Sequence, residues 1–162
     1  TSEINKIEQA IDIYDSTYKT KNEALNIVLM EKGLICKNNQ IELTCIIDAS
    51  KLSFIKDNDI YSLFGNLLDN AIEAVKNLEQ SKRVISLQIK NSGEFLIIKT
   101  YNNYNGKINF VNNLPITTKE DKDYHGYGLK SINYIVKSYD GQMKIKTNNQ
   151  VFDLTILFQT NK

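Results

Sequence analysis

The stretch from Ile60 to Lys76 carries the clearest periodicity in the chain. At about 100° per residue, Ile60, Phe64, Leu67, Leu68, Ala71, Ile72 and Val75 gather on one side, which predicts an amphipathic helix laid on a core. The opposite side is unusual. Asn66, Asn70, Glu73 and Asn77 follow one another at i, i+4, i+7 and i+11, so amides and a carboxylate share a strip roughly 60° wide. Asp57-Asn-Asp59 supplies capping residues where this helix begins.

The rest of the pattern places further elements around it. Ile4, Ile7, Ile11 and Tyr14 stand at helical spacing behind a capping Ser2. After a polar break, a run from Asn22 sets Leu25, Val28, Leu29 and Lys32 ahead of Gly33. These are two separate helices or one long bent helix. Ile41, Leu43 and Cys45 alternate with Glu42 and Thr44 as a strand ending near Asp48. Val84, Leu87 and Ile89 form a second strand and Glu94–Tyr101 a third, joined as a hairpin through Asn91-Ser-Gly93. Gly128–Tyr139 reads as a helix stopped by Gly141, followed by a hairpin of Gln142–Thr147 and Val151–Phe158 turning at Asn148-Asn149. Between Asn102 and His125 lies a long connection with repeated Asn, Pro115 and the charged run Lys119-Glu-Asp-Lys-Asp123. A connection of that length is read as a mobile lid. The order predicts an α+β fold: a two-layer α/β sandwich whose mixed sheet is covered by helices on one face, with an N-terminal helical segment.

Composition narrows the class. The 162 residues suffice for one domain, or one with an appendage, and 41% hydrophobic with 24% charged residues is a soluble globular balance. A net charge of +1 argues against nucleic acid or an anionic membrane as the main partner. No apolar run approaches the ~18 residues that span a bilayer, and the N-terminus lacks signal-peptide character. Cys36 and Cys45 have neither a CxxC spacing nor a nearby His, so reduced, buried thiols are expected.

Two features carry candidate chemistry. Asn is a poor helix former, so an Asn strip on a helix needs a reason. One is drift in a chain with 20 Asn. The other is that neutral amide oxygens suit Mg²⁺, which takes few protein ligands and shares the rest with water and phosphate. Further on, His125-Gly-Tyr-Gly-Leu-Lys-Ser131 sets two glycines at the mouth of a helix, where exposed N–H groups and the helix dipole favour an anion. By itself that is a weak signal, since glycines at such joints more often serve packing.

Together, NLLDNAIEA, the strand end with Asn, the lid containing Thr117-Thr-Lys119 and HGYGLKSI resemble the Bergerat-type (GHKL) ATP-binding domain of sensor histidine kinases. That superfamily also holds gyrase, heat-shock ATPase chaperones and MutL. The likeness covers roughly Asn22 to the end and is nearest to the quorum-sensing peptide-receptor kinases of the AgrC and VirS type. It implies that Asn70 binds Mg²⁺, that Asn66 lines the triphosphate and that Glu73 lies near the nucleotide. Gly126, Tyr127, Gly128 and Leu129 would form the glycine box behind His125, with Thr118 and Lys119 as the lid pair, Lys119 reaching the terminal phosphates. Asn66 and Lys119 are then the catalytic candidates.

One departure stands out. Where the family carries Asp-x-Gly-x-Gly, this chain reads Tyr101-Asn-Asn-Tyr-Asn-Gly-Lys107, so Asn102 is expected to take the adenine-binding role with weaker affinity. The only His is His125, so the resemblance implies a phosphoacceptor histidine upstream. Residues 1–38 would be the end of the dimerisation hairpin and its linker, and residues 39–162 the catalytic domain. Implied partners are ATP, Mg²⁺, the phosphoacceptor helix of a homodimeric receptor and a response regulator. The chain would be the cytoplasmic part of a membrane-anchored protein. The alternative is a degenerate, non-catalytic module used for dimerisation or docking.

Overall fold

The computed structural model of the chain describes residues 2–8, 19–106, 110–111, 114–115 and 125–160. Its elements run as helix α1 (residues 2–8), α2 (Glu23–Asn38), β1 (Glu42–Ile47), α3 (Asp57–Val75), β2 (Val84–Ser92), β3 (Phe95–Asn103), β4 (Phe110–Val111), β5 (Leu114–Pro115), α4 (His125–Ser138), β6 (Gln142–Asn148) and β7 (Val151–Gln159). Five strands form one mixed sheet in the order β1-β2-β3-β7-β6, and β4 pairs with β5. β1 runs parallel to β2, so the chain crosses over between them through α3; every other pairing in the large sheet is antiparallel. This is the expected two-layer sandwich.

Alternation in the strands decides which face is covered. Ile85, Leu87 and Ile89 of β2, Leu96 and Ile98 of β3, and Leu154, Ile156 and Phe158 of β7 are buried, while their neighbours are half-exposed or exposed. The buried parity meets the apolar stripe of α3, in which Ile60, Leu63, Phe64, Leu67, Leu68 and Val75 are almost completely buried. Leu25 and Leu29 of α2 and Ile132 and Val136 of α4 complete the same core. An apolar side chain buried to this degree stabilises the fold by about 1.5–3 kcal/mol. The α3 stripe therefore fixes how the helix is rotated, and with it where the Asn strip points.

Several boundaries differ from the sequence reading. α2 continues through a buried Gly33 to Asn38, because its apolar positions persist to the buried Cys36. α3 begins at Asp57 itself, with Lys56 as N-cap and no side-chain cap; Asp59 instead accepts the Tyr139 hydroxyl at 2.5 Å. The stop after α4 is Asp140, which adopts φ 58°, while Gly141 donates its N–H back to the Val136 carbonyl at 2.8 Å. The last hairpin turns at Asn149 and Gln150, both at positive φ. The expected lid falls largely outside the described residues.

Burial pushes the Cys36 thiol up to about 11 and, together with its Cys36 neighbour, the Cys45 thiol up to about 12. Both are free cysteines; Cys36 is buried, and Cys45 is half-buried where full burial was expected.

Gly141 is needed for close approach. A Cβ there would lie 2.7 Å from two ring carbons of the fully buried Phe158 and 3.0 Å from the Leu157 carbonyl. Gly141→Ala should therefore destabilise the fold by about 1–3 kcal/mol, read as a lower urea midpoint with an unchanged slope. An unchanged midpoint would show that the ring is free to give way.

Candidate functional site at the junction of the central and fourth helices

The rotation imposed by its core stripe turns one edge of α3 toward the first turn of α4. Asn66 and Asn70 lie on that edge, half-buried. A Cβ built on Gly128 would sit 3.0 Å from Asn70 Oδ1 and 3.6 Å from Asn66 Oδ1. Two amide oxygens one helical turn apart thus face the opening of α4, and glycine is what lets them stand so near it. Asn66 is held by its own helix: Nδ2 donates to the Ser62 carbonyl at 2.8 Å and the Ser62 hydroxyl at 3.3 Å. Its oxygen is left facing Gly128.

Asn70 is not held in that way. Its Nδ2 is buried and has no hydrogen-bond partner among the described residues. An unmet buried donor costs about 1–3 kcal/mol, so this amide has the capacity to take a further acceptor. On the other wall, the first four N–H groups of α4 have no intrahelical acceptor and carry the positive end of its dipole. Acceptor oxygens for a hard cation and donor N–H groups for an anion are therefore side by side. A metal-bound polyphosphate needs both.

The adenine-side candidate is on β3, beneath α3. Asn102 is 5% exposed on the parity that faces the helices, and its Nδ2 donates to the Asn103 carbonyl at 2.9 Å. That bond leaves Oδ1 as the acceptor presented by the side chain. Thr100, two residues earlier on the same face, is a buried polar residue that the sequence reading missed. Its signal was there: a hydroxyl at a position where the strand's alternation calls for an apolar side chain.

The remaining candidates divide. Leu129 is buried behind Gly128. His125, Gly126 and Tyr127 fall in the first turn of α4, so the glycine box opens the helix from within; it does not precede it. Glu73 is exposed and paired with Lys76 at 2.7 Å, a surface ion pair of little energetic weight. Asn77 is exposed beyond the end of α3. Thr118 and Lys119 lie outside the described residues. Also missed was Lys32, nearly buried at 11% side-chain exposure and bound to Asp69 at 2.7 Å beside Asn66. Burial disfavours its charge, but the hydrogen bond and charge of Asp69, with Glu31, outweigh that and leave its pKa raised. Lys32 was legible as a cation on the apolar parity of α2.

A two-layer sandwich with paired Asn oxygens facing a glycine-opened helix is a candidate nucleotide site. A family model described as "GHKL domain" matches residues 55–159, and the chain belongs to that family. It is similar to the sensor protein CitS of Bacillus subtilis, with 25% identity over 95% of this chain. The chain spans about a third, 32%, of the length of CitS. Among solved structures, the catalytic domain of histidine kinase ThkA superposes with a TM-score of 0.64 at 15% identity, covering 88% of this chain and 93% of that one. Histidine kinase AdeS of Acinetobacter baumannii gives 0.60 at 13% identity, covering 98% of this chain and 77% of that one. The fold is that of histidine kinase catalytic domains. No helix among the described residues is long and apolar enough to cross a membrane.

The Gly128 contact gives a direct test. Gly128→Ala gains up to about 1 kcal/mol of helix propensity but drives a methyl group against Asn70. Thermal melts should show stability within about 1 kcal/mol of the parent, while the stabilisation given by Mg·ATP should correspond to at least about a tenfold weaker affinity. Parental affinity in a normally folded variant would remove Asn70 and Gly128 from the site.

Proposed function

We propose that this chain is the catalytic ATP-binding domain of a two-component sensor histidine kinase, binding Mg·ATP and passing the γ-phosphoryl group to a histidine outside this chain. The observation that carries the proposal is the approach of the Asn66 and Asn70 oxygens to Gly128.

The donor set fits Mg²⁺ bound together with nucleotide. No cluster of three or more His, Cys, Asp or Glu that could hold a metal occurs among the described residues, so a cage made by protein alone is not what is offered. An Asn carbonyl plus phosphate oxygens and water matches the habit of this ion. Asn70 is the proposed ligand. Held by Asn70, Mg²⁺ would supply neutralisation of the phosphate charge.

The chain's own groups orient and stabilise. The N–H groups opening α4, from His125 through Gly128, cradle phosphate oxygens; Asn66 lines the same side; Lys119 and Thr118 are proposed to close from the lid. Asn102 Oδ1 accepts from the adenine amino group, and because its Nδ2 is tied to Asn103 it selects a donor at that edge. An amide is a weaker acceptor than the carboxylate usual in the family, so affinity is modest.

Phosphotransfer forms a P–N bond at an imidazole nitrogen while the bond from the γ-phosphorus to the leaving ADP oxygen breaks. A neutral imidazole carries its own lone pair and needs no base. Water would need one, and Asn66 cannot accept a proton. The site is thus suited to transfer and poorly suited to hydrolysis. The remaining implied partners, a dimeric receptor with its acceptor helix and a response regulator, belong to the same proposal, as does the cytoplasmic placement. A peptide-receptor origin is the narrower version and rests on Asn102 standing where Asp is usual. That same substitution favours the second reading, a non-catalytic docking module.

A melt in Mg·ATP separates the two, because a ligand that binds only the folded chain raises its midpoint with concentration. The proposal expects a rising midpoint that Asn70→Ala abolishes without lowering the ligand-free midpoint by more than a few degrees. A flat titration of the parent chain would favour the docking module. Incubated with γ-labelled ATP, the chain should stay unlabelled; acid-labile label on it would contradict the external acceptor.

A further inference from the structure

A second concavity lies on the other side of Asn66. Between α2 and α3 runs a groove of about 290 Å³ lined by Ile27, Glu31, Lys32, Tyr61, Asn66 and Asp69, among others. Its rim is apolar and open: Ile27 is 48% exposed, Tyr61 40%, and Met30, one turn along α2 from Ile27, 36%. These large side chains stand on helices whose other faces are buried in the core, and nothing among the described residues covers them. The floor is charged. Lys32, the cation there, is already engaged by Asp69 at 2.7 Å and Glu31 at 3.4 Å, while those carboxylates remain 53% and 62% exposed. One cation between two anions leaves the groove with net negative charge.

An apolar rim beside surplus carboxylate selects an amphipathic helix with Lys or Arg flanking its apolar stripe. The chain's own α1 does not qualify. It presents Ile4 and Ile7, both exposed, but Glu3 and Glu8 flank that stripe at helical angles and would meet Glu31 and Asp69 with the wrong sign. The occupant is a different helix.

We propose that the α2/α3 groove is a docking site for a basic-flanked amphipathic helix, seated against the Asn66 wall of the nucleotide site. Asn66 belongs to both places. Its Nδ2 is bonded back to Ser62, which lines the groove, and its Oδ1 faces Gly128. A helix in the groove therefore lies one side chain away from the phosphate end of the site. On the kinase reading above, on which this step rests, that helix is the one presenting the acceptor histidine.

Two synthetic 18-residue helices test this, identical in an Ile stripe but flanked by Lys in one and Glu in the other, titrated into the isotope-labelled chain without nucleotide. The Lys peptide should shift the amide signals of Ile27, Met30 and Tyr61 and the side-chain NH₂ of Asn66, and the Glu peptide should bind at least ten times more weakly. Glu31→Lys, an exposed position outside the nucleotide site, should reduce or reverse that preference without changing the melt. Equal binding of the two peptides, shifts that miss the groove, or a preference that survives Glu31→Lys would overturn the proposal. A parallel Mg·ATP melt keeps the readings apart. Nucleotide binding without selective peptide binding rejects the groove alone, and selective peptide binding without nucleotide binding rejects the kinase reading alone.

Discussion

The contact between the middle of α3 and the first turn of α4 is the constraint on which the site depends. Asn70 Oδ1 stands 3.0 Å from where a Gly128 side chain would begin. No other residue permits that approach without displacement, and the approach brings amide oxygens and helix-opening N–H groups to one place. Either set alone would be ordinary. Side by side, they suit a charged metal–phosphate group, whose cation and anion each need a partner within a few ångströms.

The rest of the fold can be understood as holding that contact open. α3 is fixed by its buried stripe against β2 and β3. α4 is fixed at its far end, where Tyr139 donates to Asp59 at 2.5 Å and accepts the Lys56 N–H at 3.1 Å, while its ring and that of Phe54 meet Phe158 edge-on. Gly141 then lets the chain turn tightly under the Phe158 ring into β6. The C-terminal end of α4 is thus tied to the start of α3, and its N-terminal end is left to face Asn66 and Asn70. On the far side of Asn66, the Lys32–Asp69 pair joins α2 to the same helix. The rim it leaves is acidic and apolar together, the surface proposed to receive a partner helix.

Much of this was legible in the sequence because it rests on periodicity. The α3 stripe, the two hairpins and the sandwich follow from 3.6- and 2-residue repeats, and the Asn strip was visible as amides where helix propensity disfavours them. What periodicity does not encode is the choice between local competitors. Asp59 has the chemistry of a cap but is taken by Tyr139, a residue 80 positions away. Gly141 has the look of a helix stop, yet the left-handed turn falls on Asp140 and the glycine answers to Phe158 instead. Glu73 shares the strip with Asn66 and Asn70, and its carboxylate pairs with Lys76 at 2.7 Å, a local ion pair that the strip's periodicity does not announce. Thr100 and Lys32 were hidden for the opposite reason: polar groups at apolar parity look like noise until the partner or the cleft is seen.

A paramagnetic substitute for the metal reads the α3–α4 junction residue by residue. With Mn·ATP added in small amounts to the isotope-labelled chain, the side-chain amide signals of Asn70 and Asn66 and the backbone amide of Gly128 should broaden first and together, while Glu73 and Asn77 at the end of the same strip persist to higher concentration. Broadening that spares Asn70 and Gly128, or that reaches the Glu73 end before them, would place the metal away from this junction.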